Sequence, residues 1–290
     1  MKIAYITYQN IGKYTSSIED EDSILLNFLI KKGLLITEEI WDDETVNWTE
    51  YSHAILKSPW DYFDKFPAFI KWLNKIEQLN IKLLNPYHII KWNSDKHYLQ
   101  DIAKAGLDVV PTQFCEKNTL PSLSPYFDFF KTDELVIKPS VSGGSKNTFR
   151  FNPNNVSQIE ASIHQLLKEE AFMIQPFLPE IAKYGEWSFV FFNGKYSHCL
   201  LKKAKSGDFR VQHYLGGTIH PQQPTNQQIQ IAKAYVQQFA KGCLYARIDG
   251  VEVGDKFLLM ELELIEPFLF LFTHPEAKEH YYEALTAMLP

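Results

Sequence analysis

The sequence predicts an α/β (α+β) protein of three lobes. Strand-like and helix-like runs alternate through residues 1–92, an order typical of a parallel sheet covered by helices. Further along, a strand, a glycine loop and a second strand fill 134–151, which indicates a small central lobe. The last third contains two hairpin signals, Asn193-Gly194 and Gly254-Asp255, and therefore predicts an antiparallel sheet.

The first lobe, predicted over 1–92, begins with a short apolar run that indicates a buried strand. Apolar positions at helical spacing follow from Ser23, and Gly33 is a typical helix stop. Pro67 lies in the first turn of a second predicted helix, where proline is tolerated. The strands predicted in this lobe cover 2–8, 34–41, 52–59 and 81–86.

The central lobe, predicted over 93–178, begins with a helix that Asn93 or Ser94 is expected to cap and that stops at Gly106. An amphipathic helix and an apolar, proline-flanked strand complete this lobe. The third lobe is predicted over 179–290, with a long helix between its two hairpins.

The composition favours a globular protein and argues against several classes. The chain has 290 residues, 45% of them hydrophobic, and a formal net charge of −6. A general nucleic-acid binder is usually basic, so nucleic-acid binding is disfavoured. No apolar run approaches the roughly 18 residues of a membrane span, and no signal-peptide pattern is present. Three widely spaced cysteines without metal-binding spacing fit a reducing compartment, so a soluble cytoplasmic protein is expected.

Lys138 and the loop after it form the first candidate site. The lysine interrupts an apolar run in "ELVIKPSVSGGSKNTFRF", and a lysine that faces a core is costly unless a negative group pairs with it. Small residues and two glycines let backbone N–H groups approach an anion. Because alternation with period two follows, the loop belongs to a hairpin rather than to a helix-opening phosphate loop. A hairpin lid over a triphosphate is one interpretation, and an ordinary turn beside a solvent-facing lysine is the other.

Three carboxylates near the C-terminus form the second candidate site. Asp249 lies in "ARIDGVEV", and Glu261 and Glu263 are two apart on a predicted strand, so both point to one face. The neighbours that would then face the core are Met260, Leu262 and Leu264. Adjacent like charges need a cation or free water, and oxygen ligands on a rigid strand suit Mg²⁺. An exposed polar strand face is the alternative.

Taken in order, the lysine, glycine hairpin, hinge and strand carboxylates resemble the ATP-grasp superfamily of carboxylate–amine ligases, on its glutathione synthetase-like side. The chain is similar to the subgroup that includes the cyclo-ligase forming cycloserine from O-ureidoserine. The segments "LKSPWDYFDKFPAFIKWL" and "NPYHIIKWNSDKHYL" resemble the front of that subgroup. The resemblance covers nearly the whole chain and implies an ATP-grasp fold. It makes 1–92 a pre-ATP-grasp domain, 93–178 the lobe with the phosphate lid, and 179–290 the lobe with the metal and substrate site.

The resemblance implies a nucleotide site in the central lobe. Lys96 and Lys138 resemble the two phosphate-binding lysines, and Glu186 of "GEWS" resembles the acceptor of the ribose hydroxyls. The residues that resemble the phosphate lid are Ser140, Ser142, Gly143 and Gly144. Those that resemble the adenine hinge are Gln175, Pro176 and Leu178 of "MIQPFLP".

The resemblance also implies the catalytic and metal-binding groups. Arg247 resembles the arginine that steadies the transferred phosphate. Arg210 of "GDFRVQHYLGG" resembles the substrate-side arginine, beside the turn at Gly216-Gly217. The residues that resemble the metal ligands are Asp249, Glu261 and Glu263. The expected cofactors are therefore ATP and Mg²⁺, as two ions, with Mn²⁺ as an alternative.

Three positions depart from the family pattern. Glu263 stands where asparagine is common, and Phe268 stands where serine is usual. Lys57 stands in place of an expected arginine and lacks the fork that grips a carboxylate. These departures concern the acceptor substrate more than the nucleotide site.

The other candidate residues have structural interpretations. The scattered histidines form no HExxH pattern, although His213 could contact substrate. The tryptophans Trp60, Trp72 and Trp92 are expected to pack in cores rather than to stack on bases. No GxSxG elbow is present, and nothing marks a cysteine as a nucleophile.

The leading prediction is an ATP-dependent carboxylate–amine ligase that acts through an acyl phosphate on a small amino-acid-like substrate. Its catalytic cations would be Lys138, Arg210 and Arg247. The expected partners are a small-molecule carboxylate and an amine, with a homodimer as an option and with neither nucleic acid nor membrane. Three alternatives stay open: a non-catalytic or regulatory Mg-ATP-binding protein, a ligase that modifies a peptide, and a scaffold protein.

Overall fold

A computed structural model of the chain describes residues 1–10, 19–205, 210–211 and 216–290. The strands within these ranges are β1 (Ile3–Thr7), β2 (Ile36–Ile40), β3 (His53–Leu56), β4 (Lys82–Leu83), β5 (Gln113–Cys115), β6 (Leu135–Pro139), β7 (Phe149–Phe151), β8 (Phe172–Pro176), β9 (Glu186–Phe192), β10 (Lys195–Lys203), β11 (Thr218–Gln222), β12 (Tyr245–Val253) and β13 (Lys256–Glu263). The helices are α1 (Glu21–Lys31), α2 (Phe66–Gln78), α3 (Tyr87–Asn93), α4 (Tyr98–Lys104), α5 (Pro125–Phe130), α6 (Val156–Leu166), α7 (Pro179–Tyr184), α8 (Asn226–Phe239) and α9 (Ala277–Met288). None of the helices in these ranges has the length and apolar character needed to cross a bilayer.

The first sheet is parallel, with the strand order β2-β1-β3-β4. Every residue of β1 is buried, as expected for a parallel strand covered on both faces. Ala4 and Ile6 face the core formed with α2, whereas Ile3 and Tyr5 face the core formed with α1 and α9. The predicted parallel α/β lobe is confirmed.

The second sheet has the order β5-β8-β6-β7 and is antiparallel. In it, β6 and β7 form the predicted hairpin, with Leu135 opposite Phe151. The core beneath the sheet includes Ile163 of α6. The hairpin directs its glycine loop toward the first lobe, which matters for the site described below.

The third sheet is antiparallel and has the order β11-β10-β9-β12-β13. Both predicted hairpin turns are present. Asn193 and Gly194 have φ angles of 44° and 74°, and Gly254 has a φ of 59°, as turns between right-twisted strands require. The three sheets confirm the α/β (α+β) class, while the lobe boundaries near 92 and 178 stay predictions.

The helix cap predicted at Asn93 or Ser94 is wrong. Asn93 is the last residue of α3, and α4 begins only at Tyr98, without a side-chain cap. The Asn93 amide instead donates to the Leu262 carbonyl at 2.8 Å and accepts from the Leu264 amide at 3.2 Å. It therefore joins α3 to β13, a contact across 169 residues that local capping rules do not include.

Candidate active site

A cleft of about 680 Å³ lies between the lobes. All of the predicted site residues except Ser140 line it: Lys96, Lys138, Ser142, Gly143, Gly144, Gln175, Pro176, Leu178, Glu186, Arg210, Arg247, Asp249, Glu261 and Glu263. Ser140 is buried behind this surface, where its carbonyl accepts a hydrogen bond from the Lys96 amide at 2.9 Å. His213 lies outside the described residues.

Lys96 joins the glycine loop to β13. Its ammonium donates to the Ser142 carbonyl at 2.6 Å and forms an ion pair with Glu261 at 2.9 Å. Burial disfavours the ammonium, but the charge of Glu261 outweighs this and raises the pKa of Lys96. The lysine predicted to bind phosphate thus already holds a carboxylate and a loop carbonyl in place.

Lys138 points from β6 into the cleft, and no hydrogen-bond or ion-pair partner for its ammonium is found among the described residues. Burial lowers the pKa of Lys138, and the charge of Glu261 only partly offsets this effect. A desolvated ammonium without a partner is unfavourable. Its position therefore suits an anionic ligand such as a phosphate group.

Asp249 of β12 is the most heavily bonded carboxylate of the cleft. It accepts from the Ser188 hydroxyl at 2.6 Å, from the Lys202 ammonium at 2.9 Å and from the Arg247 guanidinium at 2.8–3.2 Å. Burial opposes ionisation, but Arg247 and Lys202 outweigh it and hold the pKa of Asp249 well below its usual range. The side chain is therefore an ionised oxygen donor at any physiological pH.

Lys202 is a site residue that the sequence reasoning missed. Its ammonium lies 2.5 Å from Glu186 and 2.9 Å from Asp249, so it links the predicted ribose acceptor to the predicted metal site. A bulge at Ser197 shifts the hairpin register by one residue and sets Lys202 opposite Glu186. Without the bulge, counting from the Asn193-Gly194 turn would place the lysine opposite Gly185. Turn position alone could not have identified the pair.

A second bulge shapes β13. Asp249 lies opposite Glu261 and Gly250 lies opposite Leu259, so Met260 is the extra residue. Met260 lines the cleft beside Glu261, and the prediction that it faces the core is wrong. The core-facing prediction is confirmed for two residues, Leu262 and Leu264. The bulge explains the error because it interrupts the period-two alternation on which the prediction depends.

Glu263 forms an ion pair with Arg247, whose Nη1 also donates to the Phe268 carbonyl at 2.8 Å. Burial raises the pKa of Glu263 to about 7. The Arg247 guanidinium opposes this shift, whereas the negative charge of Asp249 adds to it. Glu261 behaves differently, because Lys96 and Lys138 outweigh its burial and lower its pKa. The two carboxylates of the Glu-x-Glu motif are therefore not equivalent.

The donor set fits a hard cation such as Mg²⁺, with one condition. Asp249, Glu261 and Glu263 supply carboxylate oxygens on paired strands of one cleft wall. Within the described ranges, however, no three acidic, histidine or cysteine side chains converge as a metal cluster. Each carboxylate is drawn to a basic group, Lys96 or Arg247 among them. These basic groups would have to transfer to phosphate oxygens for the carboxylates to ligate a metal together.

The other end of the cleft is apolar and lies at the hinge after β8. The apolar side chains lining the cleft near the hinge include Val110, Val136, Leu178, Ile181 and Ile219. Gln175 is buried, and its amide donates to the Thr112 hydroxyl at 2.9 Å. The apolar surface suits a flat base. The Gln175 amide, predicted to contact the base, already donates to Thr112.

The glycine loop contacts the first lobe. A Cβ atom at Gly143 would lie 2.6 Å from Cε1 of Phe63, so only glycine permits this approach. Next to it, Lys146 forms an ion pair with Asp64 at 2.7 Å. The loop therefore lies across the mouth of the cleft, in the position expected of a lid.

Lys57, which stands in place of an expected arginine, does not line the cleft. It is fully buried and pairs with Glu21 at 3.0 Å and Asp22 at 2.8 Å. Burial disfavours the ammonium, but these two charges outweigh it and raise the pKa of Lys57. Glu21 also accepts the amides of Leu269 and Leu271 at 2.7 and 2.9 Å. Lys57 thus organises a loop that borders the cleft.

The tryptophans divide between core and cleft. Trp72 is buried in the first lobe, as predicted, and Trp92 stacks on Phe239 at 5.5 Å. Trp60 packs against Tyr8 and the first-lobe core, as predicted, and also lines the cleft.

Comparisons with known families define this chain as an ATP-dependent carboxylate–amine ligase. Residues 124–268, half of the chain, match the family described as prokaryotic glutathione synthetase, ATP-grasp domain. Residues 3–85 match the family described as D-cycloserine synthetase DcsG, N-terminal domain. The chain belongs to the ATP-grasp family.

Individual proteins extend this comparison over most of the chain. The cycloserine biosynthesis protein DcsG of Streptomyces lavendulae is 26% identical over 276 residues, 88% of this chain and 89% of that protein. The crystal structure of D-cycloserine synthetase DcsG superposes over 100% of both chains, with a TM-score of 0.86 and 23% identity. The ATP complex of a D-alanine–D-alanine ligase from Bacillus anthracis covers 100% of this chain and 96% of its own, with a TM-score of 0.67 and 12% identity. These structures share the predicted ATP-grasp fold.

Proposed function

We propose that the protein activates a small amino-acid-like carboxylate as an acyl phosphate and joins it to an amine. The observation that carries the proposal is Lys138, a half-buried ammonium that faces the cleft and has no partner among the described residues. The similarity to DcsG supports a small substrate. The contact of Gly143 with Phe63 supports it too, because the lid leaves less room for a peptide.

The nucleotide would lie with its base at the apolar hinge and its phosphates under the lid. Lys96 and Lys138 would bind phosphate oxygens, and the backbone of Gly143 and Gly144 would cover them. Glu186 would accept the ribose hydroxyls. Ser140 would support this arrangement from behind the lid, since its carbonyl fixes the Lys96 backbone.

Asp249, Glu261 and Glu263 would hold Mg²⁺, as two ions, and Mn²⁺ would be accepted in its place. Bound Mg²⁺ would neutralise charge on the transferring phosphoryl group. Arg247 and Arg210 would steady that group from the substrate side, because fixed cations in a dry cleft stabilise developing charge. The lid would exclude water, which would otherwise hydrolyse the acyl phosphate. An enzyme that depends on ATP in this way would work in the cytoplasm.

The test is ADP release in a screen of amino acids, small carboxylates and amines. Lys138→Ala and Glu261→Gln should each lower turnover by about 100-fold or more, since the first removes a cation that stabilises transition-state charge and the second removes a ligand of the Mg²⁺ that would do so. Lys168→Ala is the matched control, because this lysine is exposed and does not line the cleft. Parental turnover in both cleft variants would overturn the proposed function.

A further inference from the structure

Beyond Arg247 the cleft ends in a group of aromatic side chains. Trp60, Phe268 and Phe270 line it, and we call this set the aromatic end of the cleft. Phe268 and Phe270 pack edge to face with ring centres 5.0 Å apart. The Arg247 guanidinium lies 5.4 Å from the Phe270 ring. The aromatic end is therefore adjacent to the arginine assigned to the transferred phosphate.

The loop that carries Phe268 and Phe270 is held by buried hydrogen bonds. The Phe268 carbonyl accepts from Arg247, and the Leu269 amide is bound by the buried Glu21. Phe270 has a φ of 53°, an uncommon value for a bulky residue. Such strain persists only where the surroundings impose it, and it is concentrated at functional sites. Phe268 and Phe270 are thus a fixed part of the cleft wall.

Glu266 is the acidic residue of this region, and its carboxylate has no hydrogen-bond or ion-pair partner among the described residues. Glu266 lines the cleft, and its backbone carbonyl accepts from the Trp60 indole at 3.0 Å. The other acidic side chains lining the cleft all have basic partners: Glu186, Asp249, Glu261 and Glu263. Burial, followed by the charge of Glu263, raises the pKa of Glu266 well above its ordinary value. The charges of Lys96 and Arg247 offset this only in part, so the positive charge of a ligand would stabilise the Glu266 carboxylate further.

We propose that Glu266 binds the ammonium group of the amine substrate and that the aromatic end binds an aromatic side chain on the same molecule. The inference rests on the proposed function and names the class of its second substrate: a primary amine bearing a ring, such as an aromatic amino acid. Aromatic faces also attract ammonium groups, so the wall and the carboxylate favour the same ligand. Phe268 departs from the family pattern, and within the aromatic end it is the residue that selects for a ring on the amine.

Three probes distinguish the contribution of the ammonium group to binding from that of the aromatic ring: phenethylamine, 2-phenylethanol and ethylamine. Each is titrated by ligand-observed NMR into the full chain saturated with Mg-ADP. Phenethylamine should bind at least about tenfold more tightly than either of the others, because only it supplies both a charge-assisted hydrogen bond and apolar burial. Equal binding of phenethylamine and 2-phenylethanol, or binding of none of the three, would overturn the proposal.

Two variants test the separate roles of Glu266 and Phe268 in binding. Glu266→Gln should remove the preference for phenethylamine over 2-phenylethanol, whereas Glu283→Gln on the exposed face of α9 should keep it. Phe268→Ser should weaken phenethylamine binding by about tenfold and leave ethylamine unchanged, with the exposed Phe129→Ser as its control. A parental probe profile in Glu266→Gln would overturn this inference alone, since the proposed function is judged separately by ADP release in Lys138→Ala.

Discussion

Lys57 and Lys138 look alike in the sequence, because each interrupts an apolar strand. Lys57 is paired with Glu21 and Asp22, more than thirty residues away along the chain, and is closed off from the cleft. Lys138 faces the cleft without such a partner among the described residues. Strand pattern could predict that both lysines need an anion, but not whether the chain or a ligand supplies it. The family resemblance was needed to place Lys138 at the phosphates.

His198 predicts a pH dependence of stability. It is buried, its Nε2–H donates to the Leu269 carbonyl at 2.8 Å, and burial, with lesser effects from His274 and His280, lowers its pKa from 6.5 to about 4. His198 therefore becomes protonated near pH 6.5 in the unfolded chain but only near pH 4 in the folded chain. The contribution of His198 to stability is complete above pH 6.5 and falls by about 3 kcal/mol as the pH drops to 4.

The measurement is the free energy of urea unfolding between pH 7.5 and 4.5 for the parent and His198→Gln. The difference between the two proteins should shrink by a large part of that amount at the acidic end. The exposed His220→Gln should follow the parent. A difference between parent and His198→Gln that does not vary with pH would contradict the assignment.

At the scale of elements, the hairpins could be predicted and the bulges could not. Turn chemistry is local, so Asn193-Gly194 indicated β9 and β10 without any tertiary information. The bulges at Ser197 and Met260 depend on how neighbouring strands pack, which no local pattern reports. They place Lys202 and Met260 in the cleft, and these were the residues that sequence reasoning missed or misplaced.

The lid between β6 and β7 gives a prediction at the same scale. Gly143→Ala adds a Cβ that would lie 2.6 Å from Phe63, so the lid must move away from the first lobe. We expect the KM for ATP to rise by about tenfold, because overpacking typically costs about 1–3 kcal/mol. The double variant Gly143→Ala, Phe63→Leu should recover most of the loss in steady-state assays. No recovery would mean that the contact with Phe63 is not the cause.

Across the whole molecule, buried polar groups join the first lobe to the third. The Asn85 amide donates to the Tyr245 carbonyl at 3.0 Å and to the Leu264 carbonyl at 2.7 Å. Lys57 reaches the same region through Glu21. Because such groups are costly when left unpaired, the two lobes should unfold together.

Lys57→Met tests this coupling. It leaves Glu21 and Asp22 buried without their cation, so the free energy of unfolding should fall by about 3–5 kcal/mol. Lys256→Met, which breaks an ion pair with Asp108 on the surface, should change it little. Urea unfolding followed by fluorescence of the first-lobe tryptophans and by circular dichroism checks both points. Separate transitions for the two probes in the parent would exclude a joint unit.

The pairing of charges inside the cleft has a kinetic consequence. Among the described residues that line it, six are basic and five are acidic, and the chain as a whole carries a net charge of −6. At a Debye length of about 10 Å in 0.1 M salt, an approaching anionic nucleotide encounters the field of the net negative protein before it contacts Lys138. Nucleotide capture therefore depends on short-range contact rather than on long-range electrostatic steering. The enzyme belongs with those whose association rates change little, or even rise, as ionic strength increases.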